Sequence, residues 1–275
     1  MSLYNIRYVS STGDVIETDK DHVYLSSDDL RDYEYSYTTK NSSIVSFDVE
    51  ENTEKKIVIA VYGDTKEEAD TRKNRVYEVF DKDVITKKPG KLYVGDYYLE
   101  GYIFKSEKSI YLKTQKLLLL TLGFVTSHGK WVREELVEFN TSASEEEYDY
   151  LDVPYDYDYD YGIPTPNSID VDSFTDVNFK IIIYGICDNP RIMIGDNVYQ
   201  VNCSIEYDEY LVIDSREKKV MLHHVDGKTE TKFNDRNRDY YIFEPISRGK
   251  NAIEWDNCTD FDVIIYDERS EPKWT

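Results

Sequence analysis

Cysteine, glycine and positive charge are all in short supply, and each shortage removes a class of function. The three cysteines, Cys187, Cys203 and Cys258, are odd in number, widely spaced and without a CxxC pair. No zinc ribbon or thioredoxin-type centre can be built from them. They read as free thiols of a protein made in a reducing cytoplasm. Twelve glycines in 275 residues are few for loops that cradle phosphates, and neither GxxxxGK(S/T) nor GxGxxG occurs. Lys and Arg number 33 against 55 Asp and Glu, a formal charge of −22. So acidic a chain is repelled by nucleic-acid phosphates and by anionic lipid alike. The longest apolar run, residues 117–125, is broken by Thr121 and Gly123, and spanning a bilayer takes about 20 apolar residues. Residues 1–7 lack a basic segment followed by an apolar run, so no secretory leader and no membrane insertion are expected.

Catalytic patterns are missing as well. There is no GxSxG, and Gly185-Ile186-Cys187 matches no thiol-enzyme signature. The four histidines, His22, His128, His223 and His224, show no HxH or HExxH spacing. Adjacent residues of a strand face opposite sides, so His223 and His224 cannot ligate one metal together. Glycoside hydrolysis needs two opposed carboxylates about 5–10 Å apart, but among 55 acids some pair meets that by chance. Asp156, Asp158 and Asp160 invite a calcium loop, which would need Gly at its sixth position and a bidentate acid at its twelfth. Counted from Asp156, those positions hold Tyr161 and Asn167. The plainer reading is an extended segment with tyrosines on one face and aspartates in water on the other; a weak cation site there stays open. Neither a cofactor nor a catalytic residue is indicated, and the chain reads as non-enzymatic.

What is present is tyrosine, acid and β pattern. The chain has 26 tyrosines, and between Arg133 and Lys180 it has no Lys or Arg at all. Residues 134–176 carry 14 acids, and residues 148–161 hold six tyrosines. This composition shift, with Pro154, Gly162, Pro164 and Pro166, reads as a domain boundary. It divides the chain into residues 1–140 and 141–275.

In the first part Thr65-Lys66-Glu67-Glu68 has capping-box spacing, and Ala69, Val76, Tyr77 and Phe80 follow at helical spacing. A helix over residues 65–81 is expected. Residues 91–94 and 97–100 form a hairpin around Gly95-Asp96, with Gly in the first turn position suiting type II′ geometry. Further strands are expected at 43–49, 56–62, 102–105 and 116–126. The second part is almost purely β. Residues 179–184 suit a strand buried on both sides. Residues 192–194 and 198–201 flank a turn at Gly195-Asp196-Asn197. Residues 220–225 and 228–233 flank Asp226-Gly227, a type I′ signal. In the last strand Phe261, Val263 and Ile265 alternate with Asp262, Ile264 and Tyr266. Seven or so short strands over about 100 residues indicate a sandwich. The fold class is mainly β with one clear α-helix: an N-terminal β-domain with helix and hairpin, then a C-terminal β-sandwich.

The second part also carries an ordered series of short matches: Tyr155-Asp156-Tyr157 to Tyr161-Gly162, Phe179-Lys180-Ile181-Ile182-Ile183-Tyr184-Gly185, Asn189-Pro190-Arg191-Ile192, Ile194-Gly195, Tyr199-Gln200-Val201 and Leu211-Val212-Ile213-Asp214-Ser215. These continue with Asn234-Asp235-Arg236, Ile242-Phe243-Glu244-Pro245-Ile246, Gly249, Asn251 and Asp267-Glu268-Arg269-Ser270-Glu271-Pro272-Lys273-Trp274. In order and spacing they resemble the distal tail (baseplate hub) proteins of long, non-contractile-tailed bacteriophages and their prophages. The first part, through Leu122-Gly123-Phe124 to Trp131, is compatible but more generic.

The resemblance implies a virion structural protein of the tail tip, made in the bacterial host cytoplasm. It implies a hexameric ring built by the N-terminal domain, with a galectin- or carbohydrate-binding-module-like sandwich projecting outward. Such a ring joins the tail tube protein to the tail fibre or tail-associated lysin, and sometimes to a receptor-binding protein. No sequence-specific nucleic-acid partner is implied. Candidate ring contacts are the hairpin at Gly95 and Asp96 and the helix at Val76, Tyr77 and Phe80, which ordinary core packing would explain equally well. The acidic segment around Asp156, Asp158 and Asp160 is expected outside the ring contacts, since six copies of its charge would repel. The alternative reading is a carbohydrate-binding β-sandwich module with no tail-assembly role.

Overall fold

The computed structural model describes residues 4–20, 22–49, 53–111, 116–140, 168–255 and 259–274. The chain divides into two compact units, residues 1–133 with 268–275, and residues 134–267. Residues 268–274, which the division at residue 140 places with the second domain, group with the first unit.

The first unit contains β1 (Ile6–Val9), β2 (Val15–Glu17), β3 (Val23–Asp28), β4 (Tyr35–Lys40), β5 (Ser43–Val49), β6 (Thr53–Tyr62), α1 (Lys66–Thr86), β7 (Gly90–Val94), β8 (Tyr97–Tyr111), β9 (Leu117–Thr126) and the start of β10 (Trp131–Phe139). Strand β8 is the centre of one branched sheet. Its first residues pair with β7 and, at Tyr98, with Val132 of β10, and β7 continues to β1 and β2. Its later residues pair with β9, which continues to β6 and β3. Register shifts between Ile103 and Lys105 and between Lys108 and Ile110 bend it. The sequence suggests two short strands here, and the fold makes them one. Strand β9 alternates strictly, burying Leu118, Leu120, Leu122 and Phe124.

Thr65 caps α1 by accepting from the Glu68 amide at 3.1 Å, and the Glu68 carboxylate reaches back to the Asp64 amide at 3.2 Å. That is the expected capping box, displaced by one residue on its return arm. The helix runs five residues beyond the expected end at Asp81. The reason is Asp83, which is fully buried. Its carboxylate accepts from the Tyr8 hydroxyl at 2.6 Å and from the Ser11 amide and hydroxyl at 2.9 and 2.6 Å. A buried acid breaks the apolar stripe while extending the packed face, so periodicity alone stops too soon. Lys87 then turns left-handed (φ 55), and the amides of Lys87 and Lys88 close on the carbonyls of Val84 and Asp83, a Schellman ending. Val76, Val79 and Phe80 pack into the core of this unit.

The second unit contains the rest of β10, then β11 (Ser168–Val171), β12 (Asn178–Tyr184), β13 (Cys187–Asp188), β14 (Arg191–Ile194), β15 (Asn197–Gln200), β16 (Ser204–Ile205), β17 (Tyr210–Asp214), β18 (Lys219–His223), β19 (Thr229–Thr231), β20 (Gly249–Trp255) and most of β21 (Phe261–Arg269). One sheet has the order β19-β18-β17-β12-β21, and a second has β11-β20-β14-β15. Their inner faces share one core, with Ile181, Ile213 and Val263 from the first and Ile169, Ile192 and Ile253 from the second. This is the expected β-sandwich. Strand β12 is not buried on both sides. Phe179, Ile181 and Ile183 are inside, while Lys180 and Ile182 are half-exposed on the outer face.

Two turns separate the expectations. Gly95 has φ 59 and Asp96 stays in the ordinary region, as type II′ requires. At Asp226-Gly227 only Gly227 is left-handed (φ 80). The Gly227 amide bonds to the His224 carbonyl at 3.0 Å and the His224 amide to the Lys228 carbonyl at 2.9 Å. The loop is therefore three residues long, a turn followed by a left-handed glycine, rather than type I′. The type I′ signature occurs instead at Asn41-Ser42, φ 51 and 62, between β4 and β5.

Candidate assembly surface

Strands β4 and β5 pair with each other and with nothing else among the described residues. Every residue of β4 is exposed. Large apolar side chains stand in solvent along this arm and its base: Tyr33, Tyr35, Tyr37, Ile44, Val45 and Phe47, the last 64% exposed. Tyr37 and Phe47 are direct cross-strand partners with ring centroids 6.4 Å apart, so the arm has an apolar face of its own. An isolated hairpin is marginal in water, and a contiguous exposed apolar patch marks a contact surface. No third strand among the described residues pairs with either outer edge of the arm.

Tighter contacts hold the arm where it leaves the unit. Leu30 is fully buried. The Lys55 ammonium donates to the carbonyls of Asp29 and Asp32, and the Asp29 carboxylate accepts from the Lys56 amide at 2.6 Å. The Tyr4 hydroxyl donates to Asp28. Burial, reinforced by that carboxylate, raises the Tyr4 phenol well above its ordinary range. Tyr8 is raised in the same way, by burial first and then by Asp83.

The candidate contacts named from the sequence are divided by the fold. Gly95 and Asp96 lie exposed at the tip of the β7–β8 turn, with open space around Gly95. Val76 and Phe80 are 1% and 5% exposed, and their side chains pack into the core of this unit. Tyr77 is half-buried against that core, with the Lys108 ammonium 5.5 Å from its ring centre. The arm was only half visible in sequence: a strand at 43–49 is expected, its partner at 35–40 is not. Tyr-x-Tyr, then Asn-Ser, then a β-branched and aromatic run was the signal that could have revealed it.

The second unit has an aromatic row on its outer face. Tyr184, Tyr210 and His223 are aligned across β12, β17 and β18. Tyr210 and His223 stack with centroids 4.4 Å apart and planes 9° apart, so those ring faces cover each other instead of forming an open platform. The Tyr184 hydroxyl donates to Asp262 at 2.7 Å, and its phenol is pushed up to about 12, by burial first and then by that carboxylate. Beside the row His224 meets Glu209 at 2.5 Å and Glu230 at 3.5 Å.

No group of three metal-ligating side chains occurs among the described residues. No helix there is long and apolar enough to cross a membrane. Asp156, Asp158 and Asp160 lie outside the described residues.

No family model and no curated protein matches this sequence. Solved structures do match. One is the SPP1 Dit protein, described as a paradigm of the hub adsorption apparatus in phages infecting Gram-positive hosts. It aligns with a TM-score of 0.57 at 9% identity, over 97% of this chain and 99% of that one. A chain of the phage P2 baseplate in its activated conformation with calcium gives 0.59 at 13% identity, over 98% and 99%. The phage p2 baseplate in its activated conformation with strontium gives 0.61 at 13% identity, over 98% and 100%. The chain therefore has the fold of these phage hub and baseplate proteins along nearly its whole length.

Proposed function

We propose that this chain is a phage distal tail protein, a structural subunit of the virion tail tip with no catalytic role. Copies associate head to tail into a closed ring, a hexamer, through the first unit. The ring joins the tail tube protein to the tail fibre or tail-associated lysin and, in some virions, to a receptor-binding protein. The subunit is made in the host cytoplasm before assembly. The observation that carries this reading is the β4–β5 arm, which exposes apolar side chains on a hairpin without a core of its own. A surface of that kind fits a complementary patch on the next copy, and a rotation that closes gives a ring. Gly95 and Asp96, exposed at the β7–β8 turn, remain candidate contacts. In this reading the charge of Asp156, Asp158 and Asp160 is expected to keep clear of the ring contacts, so Asp→Asn changes at all three should leave the ring intact.

The mass of the particle in solution tests the proposal. Sedimentation or light scattering should find a species near six times the chain mass, and Phe47→Asp should return it to the monomer. A wild-type chain that stays monomeric at high concentration and binds cell-wall saccharide would instead identify a carbohydrate-binding module.

A further inference from the structure

We propose that Arg31 and residues 268–274 form a strap that fixes the direction of the β4–β5 arm, which makes Arg31 a positioning residue for self-association. The inference rests on the arm being the assembly surface. Because β4 and β5 pair only with each other among the described residues, the direction of the arm is decided where it leaves the unit, at residues 29–35. Lys55 and Lys56 of β6 hold one side of that root through Asp29 and Asp32.

The other side is held by Arg31, whose side chain is only 11% exposed. Its guanidinium lies 3.9 Å from the centre of the Trp274 ring and 4.9 Å from that of Tyr4. Its Nη1 donates to the Pro272 carbonyl at 2.8 Å, and the Glu271 carboxylate is 3.6 Å away. Four residues further on, the hydroxyl of Tyr35, the first residue of β4, bonds to the Ser270 hydroxyl at 2.8 Å. The segment 268–274 thus grips the arm twice, once in the root and once at the start of its first strand.

Arginine suits this place because its flat cation stacks on rings while its edge donates to a carbonyl, and a lysine cannot do both. Trp274 is 68% exposed, so the strap adds little to the core. What it removes is freedom at the base of the arm. Ordering the arm before association lowers the entropy lost when the next copy binds.

The test uses the full chain with Arg31→Ala, Arg31→Lys and Trp274→Ala. Hydrogen exchange of the amides at residues 29–35 is measured in a Phe47→Asp background, so that every sample is monomeric. Association is measured separately without that background. Arg31→Ala should speed exchange at the root about tenfold or more and weaken association about tenfold, with the main thermal transition unmoved. Trp274→Ala should act in the same direction, and Arg31→Lys should recover only part of the loss. Should Arg31→Ala fail to fold, Trp274→Ala decides alone. Unchanged exchange at the root overturns the strap. A loosened root with unchanged association overturns its role in positioning. A wild-type chain that never associates removes the arm as an assembly surface, and the positioning role with it, while the exchange data still report whether the strap exists.

Discussion

Two hairpins of the first unit, β7–β8 and β4–β5, have similar local grammar and opposite fates. Both are antiparallel with two-residue turns, Gly95-Asp96 in one and Asn41-Ser42 in the other. Both place large apolar residues at alternate positions. In β7 that alternation is translated into burial, with Leu92 and Val94 at 1% and 3% exposure. In β4 nothing is buried. Alternation establishes which side chains share a face, and it is silent on whether the chain itself covers that face. A third hairpin, β18–β19, sharpens the contrast. Strand β19 is also wholly exposed, but it reads Thr229-Glu230-Thr231 and needs no cover.

The largest effect that could break this comparison is on stability. Leu92→Ala should cost about 2–5 kcal/mol, whereas Phe47→Ala should stay within about 0.5 kcal/mol. Urea unfolding of the two variants measures both, and equal losses would mean that the arm is covered within the chain. Next comes association. Phe47→Asp should weaken it by about 2 kcal/mol or more, roughly 30-fold, while the unfolding midpoint of the monomer holds. Sedimentation at several concentrations gives that number.

A smaller effect probes why the helix beside β7 is long. Tyr8→Phe takes one donor from the buried Asp83 and should cost about 1–3 kcal/mol in the first unit. Ultraviolet titration should at the same time lose one phenol that resists ionisation at high pH, since burial and Asp83 hold Tyr8 raised.

The smallest effect belongs to the β18–β19 loop. Glu209, then Glu230, raise His224 above its ordinary 6.5, and His224 lowers Glu209 below its ordinary 4.5. The raised histidine contributes fully below 6.5 and loses its contribution as pH climbs through its folded value. The lowered glutamate contributes above 4.5 and loses its contribution as pH falls through its own. Wild type should therefore soften slightly as pH rises past 6.5, and His224→Gln should flatten that slope in thermal scans. An unchanged slope in the variant would assign it to other groups.

Much of the fold was legible because its signals are local. The Thr65–Glu68 cap, the strand at 117–126 and the turn at Gly95 each follow from residues within a few positions of one another. The misses share a cause as well. Asp83 extends α1 because Tyr8 and Ser11, more than 70 residues away, supply its hydrogen-bond donors. The loop at Gly227 is set by pairing on both sides of it, and the Asp-Gly dipeptide alone suggests a shorter turn. Val76 and Phe80 looked equally fit for core or contact, and only packing separated them.

The candidate surface was less legible than the fold. Its second strand carried a recognisable pattern, but the first did not stand out among so many tyrosines. By itself the sequence determined a charge of −22, the β content and the start of the single clear helix. These depend on composition and on short-range hydrogen bonding. Tertiary structure alone decided which hairpin was buried, and that residues 268–274 return to the first unit and meet the base of the arm. Both are questions of which distant surfaces meet. Solvent exclusion is a property of the assembled chain, and no window of sequence contains it.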